Sequence, residues 1–124
     1  MTTQEKNIEI AKMLGAVREE WYPSNKDTGS TGIYFAMPQK QYFPNGERYC
    51  GDTFLKFDTD ANWQFEAIDW VEKQGYPVTV CQEYCQIDTN FQPYNEIIGY
   101  EGKNKKEAIF EALFQFSQYL KQKK

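Results

Sequence analysis

Two arginines, three cysteines, eighteen carboxylates and no histidine are the material from which this chain could build chemistry. The missing imidazole removes Ser-His and Cys-His nucleophile pairs, and with them every metal site that needs a histidine ligand. Cys50, Cys81 and Cys85 are too few for a four-ligand zinc site unless a carboxylate joins them. Their odd number, without a dense spacing pattern, predicts free thiols in a reducing compartment. Asp58 and Asp60 form the most suggestive carboxylate pair, but they stand just before an amphipathic stretch, where aspartates cap a helix. Asp27-Thr28-Gly29 has the form of an aspartic-protease motif. That site requires an apolar strand to deliver the aspartate into a buried dyad, and Asn25 and Lys26 precede it here. The Gly-Ser-Thr-Gly run at 29–32 lacks the lysine and spacing of a phosphate loop, so 24–32 reads as a solvated loop. The expectation is a protein without catalytic residues, metal or cofactor.

What remains is a supply of rings and a few fixed cations. Trp21, Tyr42, Tyr49 and Phe91 fall in predicted loops and turns, the first three of them in the irregular region 16–50 that also holds Arg18 and Arg48. Rings stack on planar ligands, and guanidinium groups suit phosphate. The candidate ligand-binding residues are therefore Arg18, Trp21, Arg48 and Tyr49, joined by Lys105 at the opening of the last helix, a natural anion site. The net charge of -4 argues against polymeric nucleic acid and anionic membranes as partners.

The elements that must position these residues are organised around 53–75. Thr53, Leu55 and Phe57 alternate with Phe54 and Lys56, which predicts a strand. Asp58, Thr59 and Asp60 then cap a helix whose face carries Trp63, Ala67, Trp70 and Val71, and Gly75 with Pro77 stops it. A first helix opens at Thr2 or Thr3, Thr2 with Glu5 three places on having the form of a capping box, and ends at Gly15. Residues 33–37 read as a strand, and Asn45-Gly46 predicts a hairpin with arms 39–43 and 47–51. Strands are expected over 77–84 and 94–100, close enough in sequence to pair. A last helix opens at Asn104 and carries Ile109, Ala112, Leu113, Phe116 and Leu120 on its apolar face. The sum is one α+β domain, 1–124: an α-β-α sandwich with a short antiparallel sheet and three amphipathic helices. Aromatics at 17% exceed what one small core absorbs, so a homo-oligomer is expected. No apolar run is long enough for a membrane span, and the opening MTTQEKNIEI lacks signal-peptide order, so a cytoplasmic location is expected.

Three segments, NIEIAKMLG, LKFDTDANWQFEAIDWVEK and NKKEAIFEALFQFSQYL, together resemble the phage ABA sandwich domain family. The shared pattern is a helix with an "IA…G" ending, a strand running into a Trp-rich helix, two strands, and an aromatic last helix. The chain carries Gln64 and Phe65 where that family often has a second Trp and a Leu. The resemblance implies helices packed on an antiparallel sheet, a phage origin and the cytoplasm of a bacterial host, with no catalytic residues to transfer. In size and style the chain is also similar to phage anti-defence sponges, which sequester nucleotide-type immune signals without chemistry. This likeness implies a small phosphorylated, nucleotide-type ligand. The alternatives are a module that inhibits a host protein, or a structural or accessory phage protein.

Overall fold

The structure is a computed structural model that describes residues 1–20, 33–89 and 97–122. Within them the chain runs α1 (Thr3–Met13), β1 (Val17–Glu20), β2 (Ile33–Ala36), β3 (Tyr49–Gly51), α2 (Ala61–Lys73), β4 (Val78–Val80), β5 (Tyr84–Asp88), β6 (Ile97–Glu101) and α3 (Lys105–Gln122). The fold is α+β, with three helices and antiparallel strands. The strands divide into two sheets of three, ordered β1-β2-β3 and β4-β5-β6.

The helix ends follow the sequence closely. Thr2 accepts from the Glu5 N–H while the Glu5 carboxylate accepts from the Thr2 N–H, both at 3.1 Å, a complete capping box. The Thr2 backbone donor holds the Glu5 carboxyl below its ordinary value. The box is therefore intact above the free carboxyl pKa and opens as the pH falls through the lowered one. Asp60 accepts from the Asn62 N–H at 2.9 Å, and Asn104 accepts from the Glu107 N–H at 2.9 Å, so both later helices are capped where expected. Gly15 and Gly75 follow α1 and α2.

One buried cluster joins all three helices to both sheets. Ile10 and Ala11 of α1, Ala67 and Val71 of α2, and Ile109, Leu113 and Phe116 of α3 meet Phe35 and Cys50 of the first sheet and Cys85 and Ile87 of the second. Helix α3 packs on β5 and β6 and is flanked by α1 and α2. Lys6 pairs with Glu111 and Lys121 with Glu9, so two ion pairs tie α1 along α3. No helix of the described residues is long and apolar enough to cross a membrane.

Four sequence expectations are corrected by the backbone. Residues 53–57 form no strand: Asp52–Phe54 is a single 3₁₀ turn, Leu55 is extended without a ladder partner, and a turn follows at 57–59. Leu55 and Phe57 are buried while Phe54 and Lys56 are exposed, so the alternation is real. Side chains, however, take the place of a neighbouring strand. The Phe57 N–H donates to Asn7 Oδ1 at 2.8 Å, and its carbonyl accepts from Gln64 Nε2 at 2.9 Å.

The expected strand 77–84 is two strands. The chain reverses after Val80, with the Cys81 N–H donating to the Tyr84 carbonyl at 2.7 Å, and β4 pairs back on β5. Alternation continues through a tight turn, so periodicity alone does not reveal the reversal. Cys81 and Cys85 thus lie on opposite sides of a turn, and all three thiols are free.

The turn at Asn45-Gly46 is present, with the Gly46 N–H on the Phe43 carbonyl at 2.8 Å and the Phe43 N–H on the Glu47 carbonyl at 2.9 Å. Its expected arm 39–43 is not a strand: β3 pairs with β2 instead, Phe35 opposite Cys50. Finally, Val17–Glu20, read as the start of an irregular region, is an edge strand paired with β2, Arg18 opposite Phe35. Three charged residues in four hid it, and an edge strand tolerates such charges because one side faces water.

Candidate functional site

The first sheet has two unlike faces because strand side chains alternate. Phe35 and Cys50 sit opposite one another and are buried in the core. Tyr34 and Tyr49 take the other parity. Phe54, 65% exposed on the 3₁₀ turn, lies against this second face. Gly51 makes that approach possible, since a β-carbon there would stand 3.2 Å from the Phe54 ring and 3.7 Å from that of Tyr34.

Between this face and the first turn of α2 lies a cleft of about 590 Å³. Tyr34, Tyr49 and Phe54 line one side, and Asp60, Asn62 and Trp63 the other. Trp63 is 3% exposed and firmly seated: Phe43 stacks on it at 5.7 Å and Phe57 meets it edge-on at 5.0 Å. Lys56 supplies a cation to the cleft, while Asn45 and Glu47 contribute from the turn. Asn45 Oδ1 is occupied by the Glu47 N–H at 3.1 Å, and Asp60 by its capping bond. A seated indole, three further rings, a lysine and two amide side chains can hold a flat ligand and anchor a polar group beside it.

Cys50 also lines this cleft, but burial pushes its thiol up to about 11. Burial does the same for Cys85, also to about 11, with Cys81 adding to it. Both therefore stay protonated at neutral pH, which suits core residues and not nucleophiles. The expected outcome with a thiol reagent at pH 7–8 is rapid labelling of exposed Cys81 alone, the other two reacting after denaturation. Equal labelling rates for all three in the folded protein would contradict this burial. Among the described residues no group of cysteines and carboxylates is arranged to hold a metal ion.

The sequence-predicted residues fall as follows. Tyr49 lies in β3 and lines the cleft. Arg48 precedes it, with its guanidinium 5.6 Å from the centre of the Tyr49 ring and its Nε donating to the Met37 carbonyl at 3.2 Å. Arg18 lies on β1, the other outer strand of the sheet, so two strand spacings, roughly 10 Å, separate its strand from β3. Lys105 is exposed as the first residue of α3 and does not line the cleft. Trp21 and Phe91 lie outside the described residues, as does the 24–32 loop. Sequence reasoning missed Tyr34, Phe54, Lys56 and Trp63 as a group. For Phe54 and Lys56 the signal is the alternation at 53–57, which turns both outward while Leu55 and Phe57 are buried; nothing local in sequence brings Tyr34 and Trp63 to them. Comparison with family models, with curated proteins and with solved structures finds no match for this chain.

Proposed function

We propose that the chain is a non-catalytic binding protein that sequesters a small phosphorylated, nucleotide-type ligand. The observation that supports this most is the gathering of Tyr34, Tyr49, Phe54 and Trp63 around one cleft that also contains Lys56. Its volume lies within the roughly 300–1,000 Å³ usual for small-molecule pockets. The base would lie against the rings, and the phosphate would turn toward Lys56 and the Arg48 guanidinium over Tyr49. The phage origin, the bacterial cytoplasm and the role of a sponge for immune signals rest on the sequence resemblance. Self-association belongs to the same reading, supported by exposed Val17, Phe54 and Phe65.

The test is to incubate the protein with signalling nucleotides, remove it by filtration, and recover the bound fraction by heat. Depletion of the free nucleotide with intact release is the expected result. A released product would mean an enzyme, and an untouched pool would mean that the protein acts on another target. Stacking is worth about 1–3 kcal/mol per base, so Tyr49→Ala should weaken depletion by about fivefold or more. Arg48→Ala and Lys56→Ala should weaken it and make its salt dependence shallower, since each removes a phosphate contact. Unchanged depletion in all three variants would place the ligand elsewhere.

A further inference from the structure

A second groove, of about 380 Å³, lies on the exposed side of α2. We propose that it is a docking site for an arginine side chain of a partner protein. The inference does not depend on the nucleotide cleft, and only Pro44 lines both.

Helix α2 presents Glu66, Asp69, Trp70 and Lys73 along one stripe, at spacings of three, four and three or four residues. Trp70 is half-buried, so one part of its indole packs in the core and the rest faces the groove. Tyr42, 62% exposed, lines the groove with it from the loop before the Asn45-Gly46 turn. Buried Met37 also lines it. An apolar base with two rings suits the aliphatic stem of a long side chain.

The charges decide which side chain. Lys73 is held by Asp69 at 3.0 Å, which satisfies one of the two carboxylates. Glu66 has no ion pair among the described residues. The lining therefore carries one net negative charge beside an indole and a phenol. Such a pairing favours a cation that stacks on a ring and bonds a carboxylate at the same time. A guanidinium does both, being planar, weakly hydrated and able to fork two N–H groups onto one carboxylate. The volume is near the lower limit for small-molecule pockets, which fits one side chain and its flanking backbone better than a dinucleotide.

The probe is a short capped Gly-Arg-Gly peptide titrated into the full chain, followed by the indole N–H resonances of the tryptophans in NMR. Saturable movement of the Trp70 signal at millimolar peptide is expected, with the Trp63 signal unmoved. The citrulline peptide, equal in shape but uncharged, should bind at least about fivefold more weakly, as should arginine peptide to Glu66→Gln. Glu66 is exposed, so that variant keeps the fold. Trp70→Phe should keep partial binding and Trp70→Leu should lose it, which separates ring recognition from simple burial. No saturable shift up to about 20 mM peptide overturns the proposal, that limit corresponding to a negligible affinity. Equal binding of citrulline would reduce the groove to an apolar crevice, and equal binding of a lysine peptide would remove the guanidinium; either result overturns the assignment.

Discussion

Trp63→Ala should destabilise the protein by about 3–5 kcal/mol in urea unfolding, the range for emptying a large aromatic site in a core. Trp63 is 3% exposed and lies between Phe43 and Phe57, both almost fully buried. Their rings are themselves seated in the cluster and cannot collapse far into the space. Trp70→Ala should cost much less, about 1–2 kcal/mol, because part of that indole already faces water. The two tryptophans share a helix face by spacing alone, yet the structure separates their roles: Trp63 supports the fold and the cleft, and Trp70 forms the groove. Equal losses at the two sites would contradict this division. The variant Trp63→Phe, which keeps a ring, should recover roughly half of the loss and keep the cleft measurable.

The parts of this fold that were legible in sequence are those with short-range causes. Thr2 with Glu5, Asp60 before the apolar stripe, and Asn104 before Glu107 announce helix starts because a capping side chain reaches only two or three residues. Gly15 and Gly75 mark the two helix ends for the same kind of reason. What was illegible depends on partners distant in sequence. Val17–Glu20 looks like a polar run until Phe35 is set opposite Arg18. Residues 55–57 look like a strand because alternation reports burial on one side and says nothing about who receives the backbone bonds. The candidate site shares this history. Arg48 and Tyr49 stood out by residue type beside a turn. The cleft's remaining rings came together only because Phe54 is turned outward on a 3₁₀ turn over Gly51.

The largest polar effect is expected where that missing strand partner is replaced. Phe57 is fully buried, and its two backbone groups are satisfied by Asn7 and Gln64, themselves 3% and 1% exposed. Asn7 also donates to Asp58 at 3.0 Å and to the Thr3 carbonyl at 3.3 Å, which joins α1 to the segment before α2. Gln64 donates to the Lys106 carbonyl at 2.8 Å as well, which joins α2 to the start of α3. Removing either side chain leaves a buried backbone group unpaired, at a cost of about 1–3 kcal/mol for each group stranded. Asn7→Ala and Gln64→Ala should therefore each lose about 2–4 kcal/mol. The double variant should lose less than the sum, because both act on the placement of Phe57. Gln64→Glu is the sharper probe. Its ionised carboxylate would face two carbonyl oxygens with no proton to donate, so burial and these acceptors should raise its folded pKa above the free value. A raised acid costs stability above the unfolded pKa, and the loss shrinks as the pH falls toward that value, where the protonated acid donates again. The deficit of Gln64→Glu relative to the native chain should therefore be largest near pH 8 and narrow toward pH 4, measured by urea unfolding at each pH. A deficit that does not change with pH would mean that residue 64 is hydrated, and the side-chain bridge between α2, Phe57 and α3 would then have no part in holding the fold.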